Sequence, residues 1–358
     1  MKIAFLNSAK FWGGGEVFQL SLAVSLSKLK PSADISFIVH KDSHLASKAE
    51  DAGYHVSSFN INKQPLLNFK LWHGLIKYFR QTKLDCIFVS SSSDMKLGAL
   101  IGKICGIKKI VYIRGQEKPI RCNLLNRYFL SRLCSHVIFS SFATKNTSLK
   151  YFSNYNRPTN CHVIYHGINL NEYRDSKYKK VNAIPVISNV GRLIPDKNQG
   201  DLLAVAKILK SDGLKFKIEI VGEGSLKNSL QEEIHRNNLE DVVSLMGFKK
   251  DIPEYLSQVD IFALTSTTEG FGLVIVEAMN QSLPVVAYNQ SSIPELVSHN
   301  ENGLLVNGQS VHEFAQCLKS ILLSPALARS LGKNGKLTAE SRFDIDLCTK
   351  NIMEKIGL

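Results

Sequence analysis

The sequence predicts an α/β protein built from two doubly wound domains. Short apolar runs alternate with amphipathic helical segments along the chain of 358 residues, a pattern typical of parallel sheets covered by helices on both faces. The alternation is interrupted once, by a polar and basic stretch at residues 171–183. The length also suits two domains of ordinary size, each with its own core.

We assign residues 1–170 to the first domain. Six apolar runs in it predict buried strands, at residues 3–7, 35–40, 86–90, 110–113, 137–140 and 162–165. Helical patterns lie between and after these runs, at residues 16–30, 43–53, 66–82, 94–106, 122–134 and 141–152. Because helices separate the strands, we expect successive strands to run parallel.

We interpret residues 171–183 as a linker, since they are polar and show no apolar period. The second domain, residues 184–340, repeats the alternation, and its strands are predicted at residues 186–190, 216–221, 242–246, 260–264, 284–287 and 303–306. The final segment, 341–358, contains one more helix pattern at 343–356. Ligands of doubly wound sheets bind beyond the carboxyl ends of the strands, so we expect the substrate in a crevice between the domains.

Charge is distributed unevenly along the chain. Up to residue 180 the sequence has 27 Lys and Arg against 10 Asp and Glu, whereas the remainder has 17 against 21. A strongly basic half predicts an anionic partner, and three classes fit: phospholipid headgroups, a phosphorylated acceptor, or nucleic acid.

The compartment that the sequence predicts is the cytoplasm. Met1 and Lys2 lead directly into an apolar run without the pattern of a secretory leader, and no apolar stretch approaches the ~20 residues that cross a bilayer. The seven cysteines are scattered, without a Cys-x-x-Cys pair. This is typical of reduced thiols, and we do not expect a metal site.

The clearest chemical signal lies at residues 268–279, where a Gly-rich turn leads into a predicted helix. A strand is predicted to end at Leu264 and a helix to begin near Gly272, and the unpaired N–H groups at a helix start attract anions. Glu269 lies in the turn, and Glu277 follows about two helical turns later. Amides that bind phosphate, beside carboxylates that accept hydrogen bonds from hydroxyls, suit a nucleotide-sugar. The alternative is an ordinary turn with two surface glutamates.

Further candidates follow other strands of the second domain. Arg192 and Lys197 lie in the loop after the predicted strand 186–190, where two cations would neutralise a diphosphate. Gly222, and Gly247 with Phe248, come directly after the next two strands and suit contact with a nucleobase. Each of these residues, taken singly, also fits an ordinary loop.

The first predicted strand leads into three consecutive glycines, Gly13 to Gly15, ahead of a helix expected to start near Val17. Glycine lets backbone amides approach a phosphate or a sugar closely. The motif is not the dinucleotide-binding fingerprint, because Phe18 occupies the position of its third glycine.

As a set, these motifs resemble the retaining glycosyltransferases of family 4, whose GT-B fold has two Rossmann-like domains facing across a cleft. The residues that carry the resemblance are Val190-Gly191-Arg192 with Lys197, Val221-Gly222-Glu223-Gly224, Glu269-Gly270-Phe271-Gly272 with Glu277-Ala278, and Pro294-Glu295-Leu296-Val297 with Asn302-Gly303-Leu304. They cover the second domain in order. The Gly13–Glu16 loop and His166-Gly167-Ile168-Asn169 extend the likeness more loosely into the first domain.

The resemblance implies a role for each residue. Arg192 and Lys197 would bind the donor diphosphate and stabilise it as a leaving group, and with Glu269 they form the expected catalytic set. Glu277 would hold the ribose hydroxyls, and the final helix would cross back onto the first domain. The expected donor-binding residues are Gly14, Gly15, Arg192, Lys197, Gly222, Phe248, Glu269, Gly270, Phe271, Gly272, Leu273 and Glu277.

The activity implied is transfer of a sugar from a nucleotide-sugar, with UDP favoured, to a glycan or lipid-linked glycan, in the synthesis of a cell-surface polysaccharide or lipopolysaccharide. No cofactor and no metal are expected, because two fixed cations would offset the charge of the departing diphosphate. One departure concerns Arg114, which stands where many family members have a histidine near the reacting sugar. Arginine does not release its proton, so we expect an electrostatic contact with the sugar or the acceptor, unless the histidine's counterpart lies elsewhere.

Residues 66–80 form a basic amphipathic pattern, with an apolar stripe at 66, 69, 72, 75, 76 and 79. We favour packing of this stripe on the sheet. In the alternative, the basic flank binds the anionic inner face of the plasma membrane.

Two further function classes stay open: a sugar-nucleotide epimerase or phosphorylase of the same fold, and a nucleic-acid-binding protein. We do not expect the last, because the basic residues are not interleaved with aromatic residues in a recognisable binding motif.

Overall fold

The computed structural model describes residues 1–61, 66, 68–152, 158, 160–174 and 182–358. The chain divides into two compact units. The first unit consists of Met1–Gly167 together with Ile345–Leu358, and the second of Ile168–Asp344.

The first unit is built on a parallel sheet. Its strands are β1 (Lys2–Asn7), β2 (Asp34–His40), β3 (His55–Phe59), β4 (Cys86–Val89), β5 (Lys109–Arg114), β6 (His136–Phe139) and β7 (Cys161–Val163). Their order across the sheet is β3-β2-β1-β4-β5-β6-β7. The register places Phe5 of β1 beside Phe37 of β2 and Phe88 of β4. The three buried rings stack across the sheet with centroids 5.2 and 4.9 Å apart, so they join three neighbouring strands.

Helices connect these strands. They are α1 (Gly14–Leu29), α2 (His44–Asp51), α3 (Phe69–Thr82), α4 (Ser92–Ile104), α5 (Leu124–Tyr128), which continues into a π-helical turn (Phe129–Leu133), and α6 (Phe142–Ser148). α3 packs against α4, and α4 packs against the π-helical turn. These three elements therefore lie side by side on one face of the sheet.

The second unit contains a second parallel sheet. Its strands are β8 (Val186–Val190), β9 (Lys217–Val221), β10 (Val243–Gly247), β11 (Ile261–Leu264), β12 (Val285–Tyr288) and β13 (Leu304–Val306), in the order β10-β9-β8-β11-β12-β13. Its helices are α7 (Asn171–Arg174), a 3-10 turn (Pro195–Lys197), α8 (Gly200–Ser211), α9 (Lys227–Arg236), α10 (Ile252–Leu256), α11 (Leu273–Asn280), α12 (Ile293–Leu296), α13 (Val311–Leu323) and α14 (Pro325–Arg342).

The last helix, α15 (Ile345–Ile356), belongs to the first unit and packs on α1. Asp346 in its first turn accepts a hydrogen bond from Ser25 Oγ at 2.7 Å and forms an ion pair with Lys28. These contacts anchor the C-terminal segment on α1. In the ranges that the structure describes, no helix is both long and apolar enough to span a membrane.

One strand of the first sheet was not predicted. β3 has the sequence His-Val-Ser-Ser-Phe, which contains no apolar run, and its residues are exposed or half-buried. It lies at the edge of the sheet, and among the described residues its one partner strand is β2. An edge strand covered on one side does not need the continuous apolar run by which we identified the buried strands.

The boundaries of two helices also differ from those predicted. α1 begins at Gly14 rather than near Val17, because the Gly13 carbonyl already accepts hydrogen bonds from the N–H groups of Glu16 and Val17. α3 begins at Phe69, whose side chain is 78% exposed, so the predicted stripe is wrong at this position.

The buried positions of α3 are Leu71, Leu75 and Phe79, while Trp72 and Ile76 are partly buried against the same core. The helix therefore packs on the sheet through a stripe shifted from the predicted one. Residue 67 of the predicted helix lies outside the described residues. In the predicted linker, Asn171–Arg174 is helical, and residues 175–181 lie outside the described residues.

Candidate functional site

The predicted site residues of the second unit lie at the switch point of its sheet. From β8 the chain passes to β9 and β10 on one side, and it resumes with β11 on the other side of β8. The loops that leave β8 and β11 therefore diverge at one carboxyl edge, where doubly wound sheets bind ligands. Arg192 and Lys197 follow β8, and Glu269 follows β11.

The structure brings Lys197 and Glu269 together. Lys197 Nζ donates to Glu269 Oε2, and the two side chains are only 16% and 15% exposed. Their loops are also joined through the backbone, since Thr267 N–H donates to the Asp196 carbonyl at 3.0 Å. Thr265 Oγ1 donates to the Lys197 carbonyl at 3.2 Å. The site thus contains a cation and a carboxylate held in fixed positions.

Two serines hold the turn that carries Glu269. Ser291 Oγ accepts from the Glu269 N–H at 2.9 Å and donates to its carbonyl at 2.6 Å. Ser292 Oγ lies 2.7 Å from the carbonyl oxygen of Glu269 and 2.9 Å from that of Phe271. Gly270 lies within this turn. A displacement of Glu269 would therefore break several hydrogen bonds at once.

Helix α11 follows this turn, as predicted. Gly272 precedes it with a φ of 97°, a left-handed conformation that favours glycine. Leu273 is the first helical residue, so the N-terminus of α11 lies directly beside the Glu269 turn. Glu277 lies one helical turn into α11 and is half-buried.

Glycines at the ends of β8 and β9 allow two backbone segments to meet. A Cβ on Gly222 would lie 1.9 Å from the Gly191 carbonyl oxygen, and one on Gly224 would lie 2.3 Å from that of Leu193. No side chain fits at either position. Phe248 follows β10 at the same edge and is 59% exposed. Arg192 is also exposed, and within the described residues its guanidinium has no hydrogen-bond or ion-pair partner.

The first unit also presents a polar network at its switch point, between β1 and β4. Asn7 Nδ2 donates to Glu16 at 3.2 Å and to Gln19 at 2.8 Å, and Gln19 Nε2 donates to Ser90 Oγ. These bonds join the end of β1, the first turns of α1 and the end of β4. Gly14 and Gly15 are exposed in that first turn of α1.

Asp94, in the first turn of α4, faces the end of β1. Its carboxylate accepts a hydrogen bond from the Ser8 N–H at 3.2 Å, while its own N–H donates to Ser91 Oγ at 3.0 Å. Burial raises the pKa of the Asp94 carboxyl above its usual range. Asp94 therefore anchors the Ser8 loop from inside the unit.

Arg114 lies at the carboxyl end of β5, but its side chain points inward and is 4% exposed. The guanidinium donates to Ser92 Oγ at 3.1 Å, to Tyr112 OH at 3.0 Å and to the Lys118 carbonyl at 2.8 Å. Nε lies 3.4 Å from Ser148 Oγ. The predicted direct contact with a sugar would need these bonds to rearrange.

His166 is also buried in the first unit. Its ring stacks on Phe18 of α1 with a centroid distance of 3.7 Å. Burial lowers the pKa of His166 to about 3, so the imidazole is neutral at physiological pH.

Sequence reasoning missed Asn7, Gln19, Ser291 and Ser292. Ser291 and Ser292 stand directly before the Ile293-Pro294-Glu295 segment. This pair of serines next to a motif of the resemblance was the signal that could have identified them. Asn7 and Gln19 carry no comparable signal, because a single polar residue at a strand end or within a helix is common.

Comparison with known proteins places these motifs in families. Residues 12–172 match the family model described as Glycosyltransferase Family 4, and residues 173–338 match the one described as Glycosyl transferases group 1. The amylovoran biosynthesis glycosyltransferase AmsK of Erwinia amylovora is 40% identical over 145 residues, which cover 38% of this chain and 35% of AmsK.

A second relative matches more of the chain. It is the N-acetylgalactosamine-N,N'-diacetylbacillosaminyl-diphospho-undecaprenol 4-alpha-N-acetylgalactosaminyltransferase of Campylobacter jejuni, which is 29% identical over 79% of this chain and 80% of its own. Among solved structures, Anabaena HepE in complex with UDP and glucose superposes with a TM-score of 0.85 at 24% identity, covering 100% of this chain and 99% of HepE. The predicted architecture of two doubly wound α/β domains is confirmed.

Proposed function

This chain belongs to the family 4 glycosyltransferases of the GT-B fold, and we propose that it is a retaining enzyme that transfers a sugar from a UDP-sugar to a lipid-linked glycan. The observation that carries the proposal is the Lys197–Glu269 pair at the switch point of the second sheet, beside the N-terminus of α11. Positive charge fixed beside a carboxylate suits a donor that has a diphosphate next to a sugar.

The bond between sugar and diphosphate breaks heterolytically, so negative charge develops on the leaving group. Lys197 would stabilise this charge from a fixed position, and the exposed Arg192 would bind the outer phosphate oxygens. Glu269 would hold the sugar hydroxyls while keeping Lys197 in place. The amides of residues 270–273 would contact the sugar and its phosphate.

The remaining contacts with the donor are inferred from where each predicted residue lies in the second unit. Glu277 on α11 would accept hydrogen bonds from the two ribose hydroxyls. The nucleobase would lie against the backbone at Gly222 and the exposed ring of Phe248.

We also propose that the reaction needs no metal, since Arg192 and Lys197 supply the positive charge. The sequence contains one Asp-x-Asp pattern, Asp344-Ile345-Asp346. The Asp346 carboxylate already binds Lys28 and Ser25, so this pattern does not offer two available ligands.

Two comparisons support the donor and the acceptor. HepE was solved with UDP and glucose, and the Campylobacter relative acts on a sugar linked to diphospho-undecaprenol. The relative's name specifies an alpha linkage, which is the anomer that retention produces from an alpha-linked donor. The AmsK name refers to amylovoran biosynthesis. We propose that this chain acts in the synthesis of a cell-surface polysaccharide or lipopolysaccharide.

The first test is nucleotide release from a panel of UDP-, GDP- and ADP-sugars, without acceptor. We expect slow hydrolysis of a UDP-sugar, and a rise in its KM of about 10- to 100-fold in Glu277→Ala, because a hydrogen bond to a charged group contributes about 1.5–3 kcal/mol. Glu232→Ala, an exposed glutamate on α9, is the matched control. If the folded protein neither binds nor hydrolyses any donor, the proposal is wrong.

We further propose that the first unit docks on an anionic membrane, which would bring the enzyme to a lipid-linked acceptor. Between residues 52 and 171 the sequence has 17 Lys and Arg and only three acidic residues. The surface formed by α3, α4 and α5 with its π-helical turn presents five exposed cations, Lys70, Lys77, Arg80, Lys103 and Arg132. It also exposes five large apolar side chains, Phe69, Ile104, Leu124, Leu125 and Tyr128. Basic residues around exposed apolar side chains suit an anionic lipid surface.

Co-sedimentation with vesicles tests this docking. We expect binding to vesicles that contain phosphatidylglycerol, and about 100-fold weaker binding when Lys70, Lys77 and Arg80 are replaced by serine, since each basic residue near the surface contributes about 1 kcal/mol. The matched control replaces Arg329, Lys333 and Lys336 of α14, which removes the same charge from the second unit. Equal losses in both triple variants, or equal binding to neutral vesicles, would contradict docking through this surface.

A further inference from the structure

Arg114 carries a buried charge that the described protein does not neutralise. All the acceptors of its guanidinium are neutral: the hydroxyls of Ser92, Tyr112 and Ser148, and the carbonyl of Lys118. Within the described residues Arg114 forms no ion pair with a carboxylate.

The acidic side chains nearest to Arg114 in sequence accept hydrogen bonds from other groups. Asp94 accepts from the Ser8 N–H through Oδ2, and burial raises the pKa of its carboxyl, which favours the uncharged form. Glu117 accepts a hydrogen bond from Thr147 Oγ1 at 2.9 Å. The stretch from residue 52 to residue 171 contains no acidic residue besides these two and Asp85.

A buried, uncompensated charge is costly to the folded protein, whereas a neutral side chain of similar size at this position would avoid the cost. Arg114 stands at the carboxyl end of β5, and β5 pairs with β4, which borders the switch point. This is the edge of the sheet where ligands bind. Negative charge on a bound ligand would offset this cost, and the ligand would bind more tightly for that reason.

We propose that Arg114 is a specificity residue for the acceptor: it favours acceptors that carry a negatively charged group, a phosphate or a carboxylate, close to this edge of the first unit. The inference rests on the proposed transfer to an acceptor. Arg114 acts through its electrostatic field rather than by contact, because its guanidinium is committed to internal partners. Its hydrogen bonds fix the charge in place, so it does not reorganise when the ligand binds.

The size of the effect follows from Coulomb's law. Two unit charges about 8 Å apart, at an effective dielectric constant of about 20, interact strongly enough to change an affinity by about 30-fold. A change of this size is large enough to measure, and a neutral acceptor should not show it because it carries no charge.

The test compares Arg114→Lys, which keeps the charge, with Arg114→Gln, which removes it and keeps an N–H donor. The full chain is saturated with UDP, so that the site in the second unit is occupied. Calorimetric titrations then use inorganic pyrophosphate, sodium glucuronate and, as the neutral counterpart of glucuronate, glucose. The thermal midpoint of each variant is measured in parallel.

We expect Arg114→Gln to bind at least one of the two anions about 30-fold more weakly than the wild type, while Arg114→Lys stays close to it and glucose binding does not change. Loss for pyrophosphate identifies a phosphate-bearing acceptor, and loss for glucuronate identifies an acidic sugar. A purely structural role predicts a different result: because neither lysine nor glutamine can reproduce the four hydrogen bonds, affinity would fall together with the thermal midpoint in both variants.

Equal losses in the two variants, or unchanged affinity for both anions in Arg114→Gln, would overturn this inference. If UDP itself does not bind, the failure lies with the proposed donor and not with Arg114. The two failures are therefore distinguishable in one experiment.

Discussion

Replacement of Lys197 by alanine is expected to slow donor hydrolysis by about 100- to 1,000-fold, the usual effect of removing one group that stabilises developing negative charge. Lys197 is the cation that the structure fixes most firmly at the switch point, through Glu269 and through the hydrogen bond from Thr265 to its carbonyl. The effect should appear in kcat more than in KM, because charge on the diphosphate grows as the bond to the sugar breaks. The measurement is steady-state nucleotide release from the accepted UDP-sugar.

The matched control is Lys207→Ala, which removes an exposed lysine from α8 of the same unit. Glu269→Gln adds a second test, because it leaves Lys197 without its ionic partner and removes the carboxylate expected to hold the sugar. Breaking a largely buried ion pair destabilises a fold, so rates are compared at a temperature where all variants are folded. A folded Lys197→Ala enzyme with unchanged kcat would contradict the role of this lysine in leaving-group stabilisation.

The sheets were predictable because buried parallel strands have continuous apolar sequences. β1, β4 and β11 are bounded by polar or glycine-rich turns and were found within one or two residues of their ends. β3 was not predicted because an edge strand can be formed by polar residues. The exposed Phe69 was assigned to the core because helical periodicity does not show where a helix starts.

The candidate site was predictable at the level of motifs but not of contacts. Position along the chain placed Lys197 and Glu269 in loops at the carboxyl ends of two strands, yet the ion pair joins residues 72 positions apart and depends on how the two loops fold. The inward orientation of Arg114 was hidden for the same reason. Besides Tyr112 on the same strand, its partners come from α4, from the loop at Lys118 and from α6, and no local pattern connects these elements.

Gly222→Ala is expected to have the largest effect on the second unit, with a loss of stability above the roughly 4 kcal/mol that marks an exceptional substitution. The new Cβ would lie 1.9 Å from the Gly191 carbonyl oxygen, and Gly222 has a φ of +142°. Neither segment can withdraw freely, because the Gly191 N–H donates to the Val221 carbonyl and the Gly222 N–H to the Gly247 carbonyl, both at 2.9 Å. Binding of UDP should be lost as well, since Gly191 directly precedes Arg192.

Gly213→Ala separates the two causes of destabilisation, which are the steric overlap of the new Cβ and the positive φ of the backbone. Gly213 belongs to the same unit and has a φ of +72°, but a Cβ there would meet nothing within 4 Å. This variant should therefore show only the left-handed backbone penalty of about 1–2 kcal/mol and should bind UDP normally. Urea unfolding with and without UDP measures both quantities, because UDP protects only the unit that binds it. Equal destabilisation of the two variants would mean that the strands separate easily, and the close approach of β8 and β9 would then not be what shapes the site.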